Sequence, residues 1–149
     1  MIHDQAVHLL LVEDDDAHAM IVERSFMGSS GERVTMDRVH DGVEAVAYVR
    51  RQGEFQNRPR PYLILLDLKL PRMHGHEVLR TLKTDDDLKM IPVVILTTSD
   101  AEQDRRKAYG LHANGYLVKP TDFGQFRQMI GAVTSYWGIW NRPASESAG

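Results

Sequence analysis

Glu13, Asp14 and Asp15 follow one short apolar run of the chain, Asp67 closes another, Thr97 closes a third and Lys119 follows a fourth. Carboxylates gathered at one rim repel one another strongly where the dielectric is low. A hard divalent cation relieves that repulsion. Mg²⁺ suits the task, because it takes one or two carboxylates and fills its other positions with waters and phosphate oxygens. With the acids neutralised, one carboxylate can attack a phosphoryl donor and form an acyl phosphate. Metal, hydroxyl and ammonium then share the charge of the transferring group. The sequence supplies each part: Asp67 as nucleophile, Glu13 and Asp14 for the metal, Thr97 and Lys119 for the phosphoryl oxygens. Each residue alone has a plainer reading. Acids after a strand are ordinarily helix caps, a strand-ending Asp is a turn residue, and Lys119-Pro120 is a strand exit ahead of a helix. These plain readings are independent, so their failing together at successive strand ends is what carries weight.

That chemistry needs elements that bring four runs to one edge. The five candidate strands are 9–12, 34–39, 62–66, 93–97 and 116–118. Leu9–Val12, Leu63–Leu66 and Val93–Leu96 are apolar without alternation, the pattern of parallel strands buried on both faces. Between them lie helical spacings: Ala19, Val22 and Phe26; Val43, Val46 and Ala47; Val78, Leu79 and Leu82. A fourth helix is expected from about Asp100 to Leu111, and a fifth starts at Asp122. Asp100 with Gln103, and Asp122 with Gln125, read as capping boxes. Five βα units in 149 residues predict one doubly wound α/β domain over a five-stranded parallel sheet, since a barrel needs eight units and ~250 residues. In such sheets ligands bind beyond the carboxyl ends of the strands. The domain is expected to span 1–141, with 142–149 a disordered tail and no output domain behind the fifth helix.

Composition excludes several function classes. There is no cysteine, so disulfide frameworks, thiol catalysis and thiolate metal sites drop out. Eighteen basic against 21 acidic side chains give a net charge of −3, which does not suit a general nucleic-acid binder. The apolar runs are too short to span a bilayer, and the N-terminus lacks the pattern of a signal peptide. A soluble, cytoplasmic domain is the expectation.

At Leu11-Val12-Glu13-Asp14-Asp15, Leu66-Asp67-Leu68-Lys69-Leu70-Pro71 with Gly75, Leu96-Thr97-Thr98, and Gly115-Tyr116-Leu117-Val118-Lys119-Pro120, the chain closely resembles the receiver domain of two-component response regulators. The resemblance covers roughly residues 7–137. It implies the flavodoxin-like strand order 2-1-3-4-5 of the chemotaxis regulators, and an Asp67 that accepts phosphate from a sensor histidine kinase. It further implies that Asp14 binds Mg²⁺ directly, Glu13 binds it through water, and the backbone carbonyl of Lys69 is another ligand. Thr97 and Lys119 would hold the phosphoryl group, and Tyr116 would be the aromatic that moves with Thr97. Slow autodephosphorylation, rather than turnover of a substrate, is part of the same implication. Within the family the chain looks most like the small regulators paired with bacterial and cyanobacterial phytochromes. The features are the long segment Gln52–Pro61, the phrase around Asp67, and the aromatics of the last helix. Lys69 stands where family members vary and phosphoryl lifetime is tuned; the sign of its effect is open.

Rival classes fit less well. A dinucleotide-binding module needs a glycine-rich first turn, and here that turn is acidic. A haloacid-dehalogenase-type phosphatase needs a second Asp two residues after its nucleophile, where Lys69 stands. A degenerate receiver serving only as a docking module would not need the intact acids, Thr97 and Lys119.

Phe126, Ile130, Val133, Trp137 and Trp140 form an a/d stripe on the last helix. Its first part suits packing on the sheet. Tyr136, Trp137 and Trp140 extend it towards a homodimer interface, as aromatics favour interface hot spots; alternatively Gly138 ends the helix and Ile139 and Trp140 fold back. The charged fourth helix reads as a solvated face, one that reports activation in receivers. Asp85-Asp86-Asp87 reads as a solvated helix end, and His74 and His76 as loop residues without metal spacing. With no helix-turn-helix and a negative charge, neither DNA nor a membrane is an expected partner.

Overall fold

The computed structural model describes residues 7–30, 34–142 and 144, so the expected tail at 142–149 lies almost wholly outside the described residues. Five strands alternate with five helices: β1 Val7–Val12, α1 Asp16–Ser30, β2 Val34–Val39, α2 Gly42–Val49, β3 Leu63–Leu66, α3 Gly75–Lys83, β4 Val93–Thr97, α4 Glu102–Gly110, β5 Gly115–Val118 and α5 Phe123–Ser135. The strands form one parallel sheet in the order β2-β1-β3-β4-β5, as expected. Among the described residues no helix is long and apolar enough to cross a membrane.

Why β1, β3 and β4 read as unbroken apolar runs is plain from their packing. Leu10, Val12, Ile64, Leu66, Val93 and Ile95 face one layer, with Ala45, Val46 and Tyr48 of α2, Val78, Leu79 and Leu82 of α3, and Ala108 of α4. Leu9, Leu11, Leu63, Leu65, Val94 and Leu96 face the other, against Ala19, Val22 and Phe26 of α1 and Phe126, Ile130 and Val133 of α5. The period of two survives, but both faces are dry. Each valine, leucine, isoleucine or phenylalanine among them contributes about 1.5–3 kcal/mol on burial. This is what holds the strand ends rigid.

One capping expectation holds and three local expectations change. Asp122 does cap α5, accepting from the Gln125 N–H at 2.8 Å. Asp100 does not cap α4: its carboxylate pairs with Arg105, and the helix starts after Ala101 with no side-chain cap. On α2 the buried face is Ala45, Val46, Tyr48 and Val49, leaving Val43 41% exposed. His76 is not in a loop but in α3, buried, with Nε2 3.2 Å from the Asp104 carbonyl. Of the two readings of the last helix, the one in which Gly138 ends it does not hold. The chain continues as a π-helical turn, Tyr136–Trp140, closed by Asn141 N–H donating to the Tyr136 carbonyl at 2.6 Å. That wider turn keeps Trp137 and Ile139 half-buried while Trp140 is 74% exposed, so Trp140 does not fold back. The Tyr62 hydroxyl, just before β3, donates to the Asn141 carbonyl at 2.9 Å and fastens the end of this turn.

Gly75 opens α3 against the strand end that carries Asp67. A Cβ there would lie 2.4 Å from the Asp67 carbonyl oxygen and 2.5 Å from Leu68 Cα, whereas one on Gly131 in α5 would meet nothing within 4 Å. Gly75→Ala is therefore expected to destabilise the fold by about 1–3 kcal/mol. Gly131→Ala should stabilise it by about 0.5–1 kcal/mol, the helix-propensity gain. Urea midpoints of the two variants should move in opposite directions.

Candidate functional site

Glu13, Asp67, Thr97 and Lys119 stand at the carboxyl ends of β1, β3, β4 and β5, and all four are buried, at 1%, 7%, 0% and 5% exposure. The sheet register sets them there. Glu13 N–H donates to the Val39 carbonyl, Asp67 N–H to Val12, and Lys119 N–H to Thr97, at 3.1, 3.1 and 2.7 Å. Asp14, next along the chain, is exposed.

Lys119 draws the group together. Its Nζ donates to Glu13 Oε1 at 2.5 Å and to Asp67 Oδ2 at 3.0 Å. The second oxygen of Asp67, Oδ1, accepts from the Lys69 backbone N–H at 3.3 Å, and the second of Glu13, Oε2, from the Asp15 N–H at 3.1 Å. Lys69 itself is exposed. Its loop is held from the side: Arg72, with φ +65°, sends Nε and Nη2 to Asp41 Oδ2 at 2.9 and 2.8 Å. The other Asp41 oxygen caps α2 through the Glu44 N–H.

One ammonium faces two buried carboxylates, and the balance shows. Burial pushes the Glu13 carboxyl up to about 7; Lys119 opposes that rise and the charge of Asp67 adds to it. The donors are hard carboxylates, and the charge of a divalent cation would offset the desolvation and the Asp67 repulsion that raise Glu13. The set fits a hard divalent cation. Among the described residues no three His, Cys, Asp or Glu side chains form a ready-made cage. An ion that keeps most of its ligands as water does not need one.

Thr97 connects outward. Its Oγ1 accepts from the Ser99 N–H at 3.4 Å, Ser99 Oγ donates to Asp104 Oδ2 at 2.5 Å, and the Tyr116 hydroxyl donates to the Ser99 carbonyl at 2.9 Å. The half-buried Tyr116 ring lies 6.5 Å from that of Tyr109, and burial raises its phenol. Tyr136, Trp137 and Trp140 are not brought to the site; the turn that carries them ends at Asn141, which is bonded to Tyr62 before the opposite end of β3. Sequence reasoning missed two residues. Ser99 links Thr97 to Tyr116, and its signal was a hydroxyl two residues past a strand-end threonine. His18, in the first turns of α1, lies with Nδ1 3.0 Å from Lys119 Nζ; four residues after Asp14, it was placed on the same rim.

Comparison with known proteins agrees with this arrangement. The response regulator receiver domain family matches residues 9–131. The chain is 43% identical over 136 residues to a probable methanogenesis regulatory protein, FilR2, of Methanothrix harundinacea, covering 90% of this chain and 85% of that one. It is 43% identical over 129 residues to response regulator Rcp1 of Synechocystis, covering 87% of each. The Mn²⁺-bound crystal structure of Rcp1 superposes with a TM-score of 0.88 and 40% identity, over 93% of this chain and 99% of that one. The phosphorylated cyanobacterial phytochrome response regulator RcpA superposes with a TM-score of 0.90 and 39% identity, again over 93% and 99%.

The raised Glu13 has a consequence for stability. A carboxyl lifted from 4.5 to about 7 in the fold holds a proton that the unfolded chain releases earlier. Its contribution is present below the unfolded value and is lost as pH climbs through the folded one. Without divalent metal, the stability of wild type relative to Glu13→Gln is expected to fall between pH 4.5 and about pH 7, read as the difference in urea midpoint.

Proposed function

The chain belongs to the response regulator receiver domain family, and on that footing we propose that Asp67 is its phosphoacceptor. Receiver domains take a phosphoryl group onto an aspartate from a histidine kinase. What carries the assignment is one observation: a single buried ammonium bonded to both the strand-end Asp67 and Glu13.

In the proposed transfer, a carboxylate oxygen of Asp67 attacks phosphorus, the bond from phosphorus to the donor's imidazole nitrogen breaks, and that nitrogen picks up a proton from solvent. An acyl phosphate results. Lys119 turns one hydrogen from Asp67 Oδ2 to a phosphoryl oxygen, and the Thr97 hydroxyl supplies a second donor. Glu13, Asp14, Asp67 and the Lys69 carbonyl would hold Mg²⁺. When bound, the ion neutralises the acids and the incoming oxygens. The chain then acts as a switch with slow self-hydrolysis, not as an enzyme with its own substrate.

Phosphorylation brings about two negative charges to the rim. As Thr97 turns to them it gives up the Ser99 N–H, and Tyr116 leaves the Ser99 carbonyl for the space vacated. The Ser99–Asp104 bond carries the change into α4, whose surface shifts population. The output is a changed protein contact, and the net charge of −3 supports a protein rather than DNA as partner. Likeness to RcpA, a phytochrome response regulator, supports a phytochrome-type histidine kinase as donor. Exposed Tyr136 and Trp140 beside half-buried Trp137 support a homodimer through the end of α5.

Incubated with Mg²⁺ and acetyl phosphate, the protein is expected to gain one phosphate by intact mass. A chelator or Asp67→Asn should abolish the adduct, and Thr97→Ala should slow it about a hundredfold, the scale of losing one charge-stabilising donor. No adduct in wild type would retire the assignment. For the interface, light scattering should show a dimer that Trp140→Ala weakens. A monomer of constant size, with and without phosphate, would sink the dimer.

A further inference from the structure

An ammonium has three hydrogens and no lone pair. Around Lys119 Nζ stand three acceptors: Glu13 Oε1 at 2.5 Å, Asp67 Oδ2 at 3.0 Å and His18 Nδ1 at 3.0 Å. The first two are carboxylates with an evident part in phosphate chemistry. The third is a ring nitrogen that none of that chemistry uses. Because Nζ can only donate, Nδ1 must present its lone pair, and the ring hydrogen belongs on Nε2. His18 is held for this contact. Its backbone N–H donates to Asp15 Oδ1 at 3.0 Å, and its ring lies 5.9 Å from that of Phe126 on α5, tilted by 53°. With the side chain 28% exposed, the imidazole stands between the buried ammonium and water.

We propose that His18 is a positioning residue for Lys119, accepting the third ammonium hydrogen so that the one facing Asp67 keeps its aim. The inference rests on Asp67 as phosphoacceptor and deepens that reading. A lysine head group on a four-carbon stem is a mobile rotor. Glu13 alone leaves it free to turn about one bond. Glu13 and His18 together fix two hydrogens and so direct the third, first at Asp67 Oδ2 and then at the phosphoryl oxygen that takes its place. Without His18 that corner of the ammonium meets water, and the hydrogen needed at the phosphoryl group is shared with solvent.

Two variants separate aim from packing. His18→Leu fills the space without an acceptor, while His18→Asn offers an amide oxygen the same number of bonds from the backbone as Nδ1. Phosphate uptake from acetyl phosphate, at saturating Mg²⁺ and followed by intact mass, should be about tenfold slower for His18→Leu, the rate equivalent of one lost bond to a charged group. For His18→Asn it should stay within about threefold of wild type on the same scale. Calorimetry should find the Mg²⁺ affinity of both unchanged. In wild type, a long-range ¹H–¹⁵N spectrum should show Nε2 protonated and Nδ1 bare. Equal rates for His18→Leu and wild type, equally slow rates for both variants, or a protonated Nδ1 would overturn the proposal while leaving the phosphoacceptor standing. Absence of any adduct on wild type removes both.

Discussion

Lys119 Nζ lies within 3.0 Å of two carboxylates that have almost no access to water, and much of the architecture follows from that. Stripping a buried ion pair of one partner costs about 3–5 kcal/mol, since the other charge is left unpaired. Here one cation serves two anions, so the pairing is incomplete by construction and Glu13 carries the strain of burial. Such a cluster survives only on a scaffold that does not yield. The scaffold is a sheet whose three central strands are dry on both faces, with α2, α3 and α4 on one side and α1 and α5 on the other. The residual negative charge leaves a place suited to a cation, and the related regulator Rcp1 has been crystallised with Mn²⁺ bound.

Most of the fold was legible because its signal is strong. Parallel strands buried on both faces have to be continuously apolar, and Leu63-Ile64-Leu65-Leu66 admits little else. The errors lie where side chains had a choice. Asp100 looked like a cap, but its carboxylate pairs with Arg105 and α4 starts without a side-chain cap. Val43 fits a helical period, yet Tyr48 fills the space beneath α2, its hydroxyl bonded to His8 and Asp37, and the buried face turns with it. Counting at 3.6 residues per turn carried the aromatic stripe to Trp140, but a π turn breaks that count at Tyr136.

The site was readable to the extent that strand ends are. Asp67, Thr97, Glu13 and Lys119 converge because each ends or follows a strand of one sheet. Ser99 and His18 were not singled out, for a shared reason. Their roles depend on the direction of a single lone pair or carbonyl, which residue type does not encode. A histidine near the start of a helix is ordinarily a surface residue. Only the position of Nζ makes its Nδ1 matter.

The spacing of the cluster along the chain has a consequence during synthesis. Glu13 and Lys119 are 106 residues apart, and Asp67 and Lys119 are 52 apart. At about 5–20 residues per second, the ribosome exposes both acids for several seconds before their cation exists. A nascent chain ending after β4 could pack its three central strands, yet would gather two carboxylates at one rim with no ammonium between them. Final closure of that rim is thus reserved for β5, which brings the ammonium.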